Sequence, residues 1–281
     1  MNKTIVRLTL CTIIVIHLGN QLYAQQPPDS LIRKVVVFKR PANGQDVDSV
    51  VKEYYRGAKL PQATGFYIKP DSPGQLFVAT AKHVVHRKDS IQGIILSWKS
   101  LQDKGDFWSS IRFSDFRNVG LYDPDPLLDL VLVRYRFSPQ ATEMVPKVLA
   151  FHPNEIMTQN EFYSVNPEQE LFYIGMNPDS LASDELKYWF PTGQLKKIFI
   201  TSPMVLDESI NFSWSYDFIL NILGKPGISG SPVIMKTGDR YKIFGIITGH
   251  LVDSTYKAQT KNYIGTAGYR ILEILRNNSL Y

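Results

Sequence analysis

Cysteine is almost absent from this chain. Cys11 is the only one among 281 residues, so no disulfide can form within a single molecule. A cysteine nucleophile or a cysteine-based metal site is excluded from the remaining sequence for the same reason. Packing and hydrogen bonds must therefore stabilise the fold without covalent cross-links.

Runs of like charge are also missing. The formal net charge is +5, from 31 Lys and Arg against 26 Asp and Glu. A protein that binds nucleic acid usually concentrates Lys and Arg in one segment or on one face. We therefore interpret the charges as a mixed, solvated surface and expect no nucleic-acid partner.

Only one long apolar run is present, and it lies near the N-terminus. Residues 8–18 are mostly apolar, and Lys3 and Arg7 precede them. The run is shorter than the ~20 residues that span a bilayer as a helix, whereas its length and flanking charges are typical of a secretory signal. Because Ala24 offers a cleavage point, we predict a signal peptide over residues 1–24. The mature protein is then exported, periplasmic or secreted, with no stable membrane insertion; an uncleaved anchor is the alternative.

Long amphipathic helices are missing between residue 33 and the C-terminal region. Short runs rich in Val, Ile, Phe and Tyr, bounded by Gly, Pro, Asn and Asp, are typical of strands. The predicted strands cover residues 33–39, 63–69, 76–81, 92–98, 129–137, 171–175, 195–201, 233–235 and 241–248. We predict an all-β fold with one C-terminal helix, in which Tyr269, Ile271, Leu272 and Leu275 have near-helical spacing.

The first pattern that points to chemistry is LFVATAKHVV at residues 76–85, which follows the predicted strand ATGFYI at residues 63–68. An apolar strand here runs into His83, which is either a functional imidazole or a histidine satisfied within the core. His86 follows three residues later and raises the alternative of a metal pair. The spacing offers no third ligand, so we expect no metal and no cofactor.

The second pattern is DPLLDLVLV at residues 125–133. Asp129 stands at the mouth of an apolar strand, where its charge could be desolvated and aimed at an imidazole. Asp123 and Asp125 compete for any such role, and an aspartate that closes a turn is the structural alternative. We favour Asp129 because the strand would hold it rigidly.

The third pattern is GKPGISGSPV at residues 224–233. Glycines flank Ser229, and glycine permits backbone angles that turn peptide N–H groups toward one point beside a hydroxyl. A plain turn between two strands is the alternative interpretation.

Together the three patterns resemble the trypsin-like (chymotrypsin-fold) serine proteases, in particular the bacterial HtrA-like branch, here without a PDZ domain. In that family His follows Thr-Ala-x, Asp precedes a short apolar strand, and Ser lies in Gly-x-Ser-Gly-x-Pro, in this order. FYIGMNP at residues 172–178 is similar to a Gly-Asn-Pro turn of that branch. FGIITG at residues 244–249 is similar to the strand that borders the substrate.

The resemblance implies two packed six-stranded antiparallel β-barrels and a short C-terminal helix. The implied protease domain covers residues 25–281. Its parts are a first barrel over about 33–140, a connection near 138–159, a second barrel over about 165–268 and a helix over about 269–277.

The resemblance also implies a serine endopeptidase with polypeptide substrates. His83, Asp129 and Ser229 would form the catalytic triad, and the N–H groups of Gly227 and Ser229 would form the oxyanion hole. The alternatives are a catalytically silent fold that acts as a binding or scaffold protein, and an unrelated β-rich surface protein. The oligomeric state stays open.

The sequence departs from pancreatic members of the family around the implied substrate pocket. Ile228 replaces the aspartate that would bind a new N-terminus after zymogen cleavage. Leu223 stands where specificity for basic side chains would need Asp, and Ile247 stands where glutamate-specific relatives carry His. With Thr248 and Gly249 completing the implied substrate-binding set, we expect an apolar pocket that prefers uncharged side chains.

Overall fold

A computed structural model of the chain describes twelve segments, to which every structural statement below applies. They are residues 29–39, 63–86, 94–99, 106–111, 120–134, 150–176, 188–189, 192–201, 203–207, 212–222, 227–253 and 258–281. The predicted signal peptide lies outside them.

The first half of the chain forms a seven-stranded antiparallel sheet. Its strands are β1 (Val35–Lys39), β2 (Ala63–Ile68), β3 (Phe77–Thr80), β4 (Ile94–Lys99), β5 (Asp106–Ile111), β6 (Gly120–Tyr122) and β7 (Val131–Arg134). The order across the sheet is β5-β4-β1-β2-β3-β7-β6. The central strands β2 and β3 are buried along their whole length, which explains why they are continuous apolar runs rather than alternating ones.

The second half forms a closed six-stranded barrel. Its strands are β8 (Glu170–Tyr173), β11 (Thr192–Ile198), β14 (Phe218–Asn221), β15 (Pro232–Thr237), β16 (Arg240–Asp253) and β17 (Ala258–Ala267). Their order around the barrel is β11-β14-β17-β16-β15-β8. Two small antiparallel pairs accompany it. They are β9 (Gly175–Met176) with β10 (Tyr188–Trp189), and β12 (Met204–Asp207) with β13 (Phe212–Ser215).

Helices are few and short in the described chain. They are α1 (Asp29–Ile32), α2 (Lys82–His86), a 3-10 turn (Pro153–Glu155), α3 (Gln159–Tyr163) and α4 (Tyr269–Asn277). The predicted all-β fold and its C-terminal helix are confirmed. No helix among the described residues is long and apolar enough to cross a membrane.

One hydrophobic core lies between the two halves. It joins side chains such as Phe66 and Leu132 of the first sheet to Ile234 and Ile246 of the barrel, and helix α4 adds Leu275. Burial of this shared core holds the halves against each other, because apolar area removed from water stabilises by about 25 cal/mol per Å².

The segment after residue 150, which falls within the predicted connection, bridges the halves. Phe151 pairs with Ile68 of the first sheet, and Ile156 pairs with Ile243 of the barrel. Backbone hydrogen bonds of 2.8 Å from Phe151 N–H to Tyr67 and 3.0 Å from Met157 N–H to Ile243 fix these contacts.

Candidate active site

The side chains of His83 and Asp129 form a tight, buried pair. Strand β3 ends at Thr80, and His83 is the second residue of α2, so it lies in a helical turn after the strand rather than on the strand. Its Nδ1 lies 2.6 Å from Asp129 Oδ2, and its backbone N–H donates to Asp129 Oδ1 at 2.8 Å. The Asp129 side chain is fully buried and that of His83 is 14% exposed. A buried carboxylate requires such donors, and this pair orients the imidazole.

Asp123 and Asp125, the two alternatives to Asp129, hydrogen-bond the backbone of the turn that precedes it. Asp123 Oδ1 accepts the N–H of Asp125 at 2.8 Å, and Asp125 Oδ1 accepts the N–H of Leu127 at 2.9 Å. Each carboxylate thus caps the backbone two residues on, as aspartates commonly do in turns. Burial raises the pKa of Asp123 above its usual value. Among the described residues, Asp129 is the aspartate that hydrogen-bonds His83.

The glycine-flanked loop around Ser229 is hydrogen-bonded to both halves. The N–H of Thr64 in β2 donates to the Ser229 carbonyl at 2.8 Å, and the N–H of Gly230 donates to Ile247 in β16 at 2.7 Å. Ile247 N–H returns a bond to the Ser231 carbonyl at 3.0 Å. These bonds hold Ser229 at the junction of the barrel with the sheet that carries His83.

Glycine is required on both sides of Ser229. Gly227 and Gly230 have φ values of +95° and +85°, a region that side chains with a Cβ disfavour. A Cβ at Gly230 would also lie 2.0 Å from the Thr64 carbonyl oxygen and 2.4 Å from Thr80 Oγ1. The loop therefore packs directly on β2 and β3 only because residue 230 has no side chain.

Two peptide N–H groups in this loop, those of Gly227 and Ser229, donate to no acceptor within the described parts of the chain. Free N–H donors beside a hydroxyl are the arrangement that stabilises a developing oxyanion.

An aromatic side chain that the sequence analysis missed covers the imidazole. Trp214 in β13 stacks on His83, with ring centroids 6.1 Å apart and planes 27° apart. Strand β13 is docked beside Asp129 because Ser215 N–H donates to the Leu127 carbonyl at 2.7 Å. Gly249 leaves room for the indole, since a Cβ there would lie 3.2 Å from Trp214 Cζ2.

Trp214 could not have been assigned from its position in the sequence. The alternation of Phe and Trp with Ser in FSWS at residues 212–215 was a weak strand signal. Nothing in that pattern indicated which side chain the strand would meet.

The predicted substrate-binding residues fall partly on β16. Ile247 is buried in the barrel core, Thr248 is 1% exposed, and Gly249 is partly exposed. Strand β15 pairs with β16 only as far as Ile246, so among the described residues the edge at Thr248 and Gly249 carries no further strand on that side. Leu223 lies outside the described residues, as do Asn177 and Pro178 of FYIGMNP.

The described residues contain no group of three His, Cys, Asp or Glu side chains that could hold a metal ion. The side chain of His86 is not among those described.

Comparison with solved structures gives the fold to which this chain is similar. The chain is similar to a crystal structure of the Rv3671c protease from M. tuberculosis in its active form, at 14% identity and a TM-score of 0.50, over 91% of this chain and 89% of that one. The chain described here by residues 29–281 with the stated gaps has the chymotrypsin-like fold. A crystal structure of the inactive form of the Rv3671c protease gives 14% identity and a TM-score of 0.47, over 90% and 96% of the two chains. No protein-family model matches the sequence, and no curated protein matches it.

In this fold, the three residues of the predicted triad come from both halves. The first sheet and the turns attached to it supply His83 and Asp129. The barrel supplies Ser229, and Thr64 joins its loop to the first sheet.

Proposed function

We propose that the chain is a serine endopeptidase that uses His83, Asp129 and Ser229. One observation supports this proposal above the others. A buried carboxylate orients the imidazole of His83. The backbone carbonyl of Ser229 is bonded to Thr64 of the adjoining sheet, beside two N–H groups that have no acceptor among the described residues.

The proposed chemistry is acyl transfer in two stages. The Ser229 hydroxyl attacks the scissile carbonyl as His83 takes its proton, and His83 then gives that proton to the departing amine. Water hydrolyses the resulting ester with the same imidazole as base, which releases the second product and restores the hydroxyl. Asp129 keeps the proton-accepting nitrogen facing the serine and stabilises the imidazolium.

The substrate would bind in extended form along β16. The strand edge at Thr248 and Gly249 carries no further strand among the described residues, and an extended peptide can hydrogen-bond to such an edge. The N–H groups of Gly227 and Ser229 would hold the oxyanion, and loss of one such donor typically costs 10²–10³-fold in rate, or roughly 3 kcal/mol.

Covalent labelling tests the proposal. A fluorophosphonate probe should phosphonylate Ser229 with loss of fluoride, and Ser229→Ala should abolish both labelling and peptide hydrolysis, lowering kcat by about 10⁶. Ser231→Ala is the matched control. It should leave labelling intact, because Ser231 is fully buried, two residues from Ser229.

The same assay separates this function from a silent scaffold. A scaffold requires neither a reactive hydroxyl nor free N–H donors, so the wild-type protein would fold and remain unlabelled. Labelling that persists in Ser229→Ala would place the nucleophile elsewhere.

Export to the periplasm or the medium is part of the proposal. Residues 8–18, with Lys3 and Arg7 before them, motivate it. The intact mass of the protein recovered outside the cytoplasm should correspond to a chain that begins near Gln25. A recovered mass that includes residues 1–24 would contradict cleavage and favour an anchored protein.

A further inference from the structure

Thr64 has a hydrogen-bonding role that the proposed catalytic triad does not account for. It lies fully buried in β2, and its hydroxyl donates to the Gly227 carbonyl at 2.9 Å. Its N–H donates to the Ser229 carbonyl at 2.8 Å. One residue therefore bonds both ends of segment 227–229, whose N–H groups at residues 227 and 229 have no acceptor in the part of the chain that the structure describes.

Thr64 is also bonded to the strand that leads to the imidazole. Its carbonyl accepts the hydroxyl of Thr80 at 2.9 Å, three residues before His83. Thr80 in turn pairs with Val131, two residues after Asp129. Thr64 thus links the serine loop to the strands that hold the histidine and the aspartate.

A hydrogen bond to the Gly227 carbonyl can fix the orientation of the peptide groups on either side of it. A glycine at φ +95° has no side chain to restrict rotation of its peptide planes. A hydrogen bond to its carbonyl favours one orientation of the segment, and the adjoining N–H groups at residues 227 and 229 are oriented with it. The bond is part-buried, so breaking it leaves an acceptor that water compensates only in part.

We propose that Thr64 is a positioning residue that presets the oxyanion donors of Gly227 and Ser229. The inference rests on the proposed serine-protease function. Thr64 touches neither the substrate nor the reacting atoms; it acts through the Gly227 carbonyl. Its contribution is therefore expected in kcat rather than in KM, because the developing oxyanion is present only in the transition state.

Three variants isolate the hydroxyl. Thr64→Ser keeps it, Thr64→Ala removes it together with the methyl group, and Thr64→Val removes it at nearly constant volume. Relative to Thr64→Ser, both other variants should lower kcat by about 10- to 100-fold, the effect expected when a part-buried acceptor loses its donor and the oxyanion donors lose their preset orientation, with KM changed less than about 3-fold. If Thr64→Val does not fold, the Ser–Ala pair still differs by one hydroxyl.

Thr266→Val is the matched control. Thr266 is likewise a fully buried strand threonine, but its hydroxyl has no hydrogen-bond partner among the described residues. It should therefore keep wild-type kcat. Equal kcat in Thr64→Ser and Thr64→Ala, or an equal loss in Thr266→Val, would overturn the inference.

Hydrogen exchange gives a second readout that does not depend on activity. Amide exchange at Gly230 and Ser231, whose N–H groups are hydrogen-bonded, should be faster in Thr64→Ala than in Thr64→Ser, and unchanged in Thr266→Val. If the wild type is not labelled by the fluorophosphonate probe, the proposed function is wrong, and exchange alone then decides whether Thr64 orders the loop. Equal exchange in the Ser and Ala variants would overturn that role.

Discussion

Among single residues, three nearby aspartates differ in burial and in the hydrogen bonds that their carboxylates accept. Asp129 is fully buried and carries two hydrogen bonds from His83. Asp125 is partly exposed and caps a turn. Asp123 is 7% exposed, and its Oδ2 has no hydrogen-bond partner among the described residues. An unpaired buried carboxylate oxygen is costly when ionised, so Asp123 should weaken the fold at neutral pH.

Asp123→Asn tests this cost. Burial is the main cause that raises the pKa of Asp123 above 3.8, opposed by the Asp125 N–H and by Arg270. The folded state therefore binds this proton more tightly than the unfolded chain, and the associated stability is lost as pH rises through the folded pKa. Asparagine keeps the Oδ1 acceptor without the charge. The variant should exceed the wild type in free energy of unfolding by on the order of 1 kcal/mol at pH 7, and by little near pH 4.

Urea denaturation of both proteins at the two pH values measures this difference. Asp239→Asn, in the exposed turn between β15 and β16, is the control and should show no such pH-dependent gain. A gain for Asp123→Asn that is the same at pH 4 and pH 7 would contradict a titration at this site.

Some single-residue contacts could be predicted from the sequence and others could not. The strand that follows Asp129 was readable from its apolar run, and the choice over Asp123 and Asp125 followed from rigidity. The contacts of Thr64 and Trp214 were not readable, because each meets partners more than 100 residues away. No local periodicity encodes which distant backbone or ring a side chain will meet.

At the scale of elements, two glycines let the barrel close around one aromatic ring. Phe218 of β14 is fully buried. A Cβ at Gly265 of β17 would lie 2.2 Å from its Cζ, and a Cβ at Gly245 of β16 would lie 2.5 Å from its Cε1. Three neighbouring strands thus accommodate the ring where side chains would otherwise project.

Gly265→Ala should destabilise the fold by about 3 kcal/mol. The added methyl group would clash with the Phe218 ring and would also lie 2.4 Å from the Ile246 carbonyl oxygen, which cannot rotate away. Overpacking of this kind typically costs about 1–3 kcal/mol or somewhat more. Equilibrium unfolding in urea provides the measurement.

Gly238→Ala is the matched comparison, because nothing lies within 4 Å of a Cβ there. Its φ of +60° alone should cost about 1 kcal/mol. Equal losses in the two variants would show that backbone strain, rather than the Phe218 ring, limits substitution at Gly265.

The predicted elements agree with the structure where apolar runs are dense. Strands at residues 63–69, 76–81 and 241–248 correspond to β2, β3 and part of β16, and the predicted helix coincides with α4. Strands β13, β14 and β17 were not predicted individually, because their short or polar sequences carry weak β signals. Strands β14 and β17 pair within the closed barrel, and β13 pairs with β12. Tertiary pairing, rather than local propensity, therefore makes these segments strands.

For the whole molecule, the sequence indicated that the chain has two halves, but it did not indicate which residues of the two halves contact each other. The order of the three motifs implied one half that carries His83 and Asp129 and another that carries Ser229. The shared core depends on pairings such as Ile68 with Phe151 and Ile156 with Ile243, which lie far apart in sequence. The halves are a closed barrel and a seven-stranded sheet in the described residues.

The proposed site should select for uncharged side chains before the scissile bond. The prediction of an apolar pocket rests on Leu223 and on Ile247, of which Ile247 packs into the barrel core at 1% exposure. Asp217 does not offer a charge to it, since it is 1% exposed and its carboxylate accepts the Ala267 N–H and contacts Arg270. A charged substrate side chain would lose hydration without gaining a partner, at a cost of at least several kcal/mol.

A cleavage-site profile on a denatured proteome measures this selection, with Ser229→Ala as the background. Small to medium uncharged residues should predominate at the position before the cleaved bond, with soft discrimination of about 1–3 kcal/mol per methylene among aliphatic ones. Leu223→Asp should raise the share of cleavage after Arg and Lys, because it supplies the carboxylate that a basic side chain requires. Predominant cleavage after Arg, Lys or Glu by the wild type would show that another loop brings a charge into the pocket.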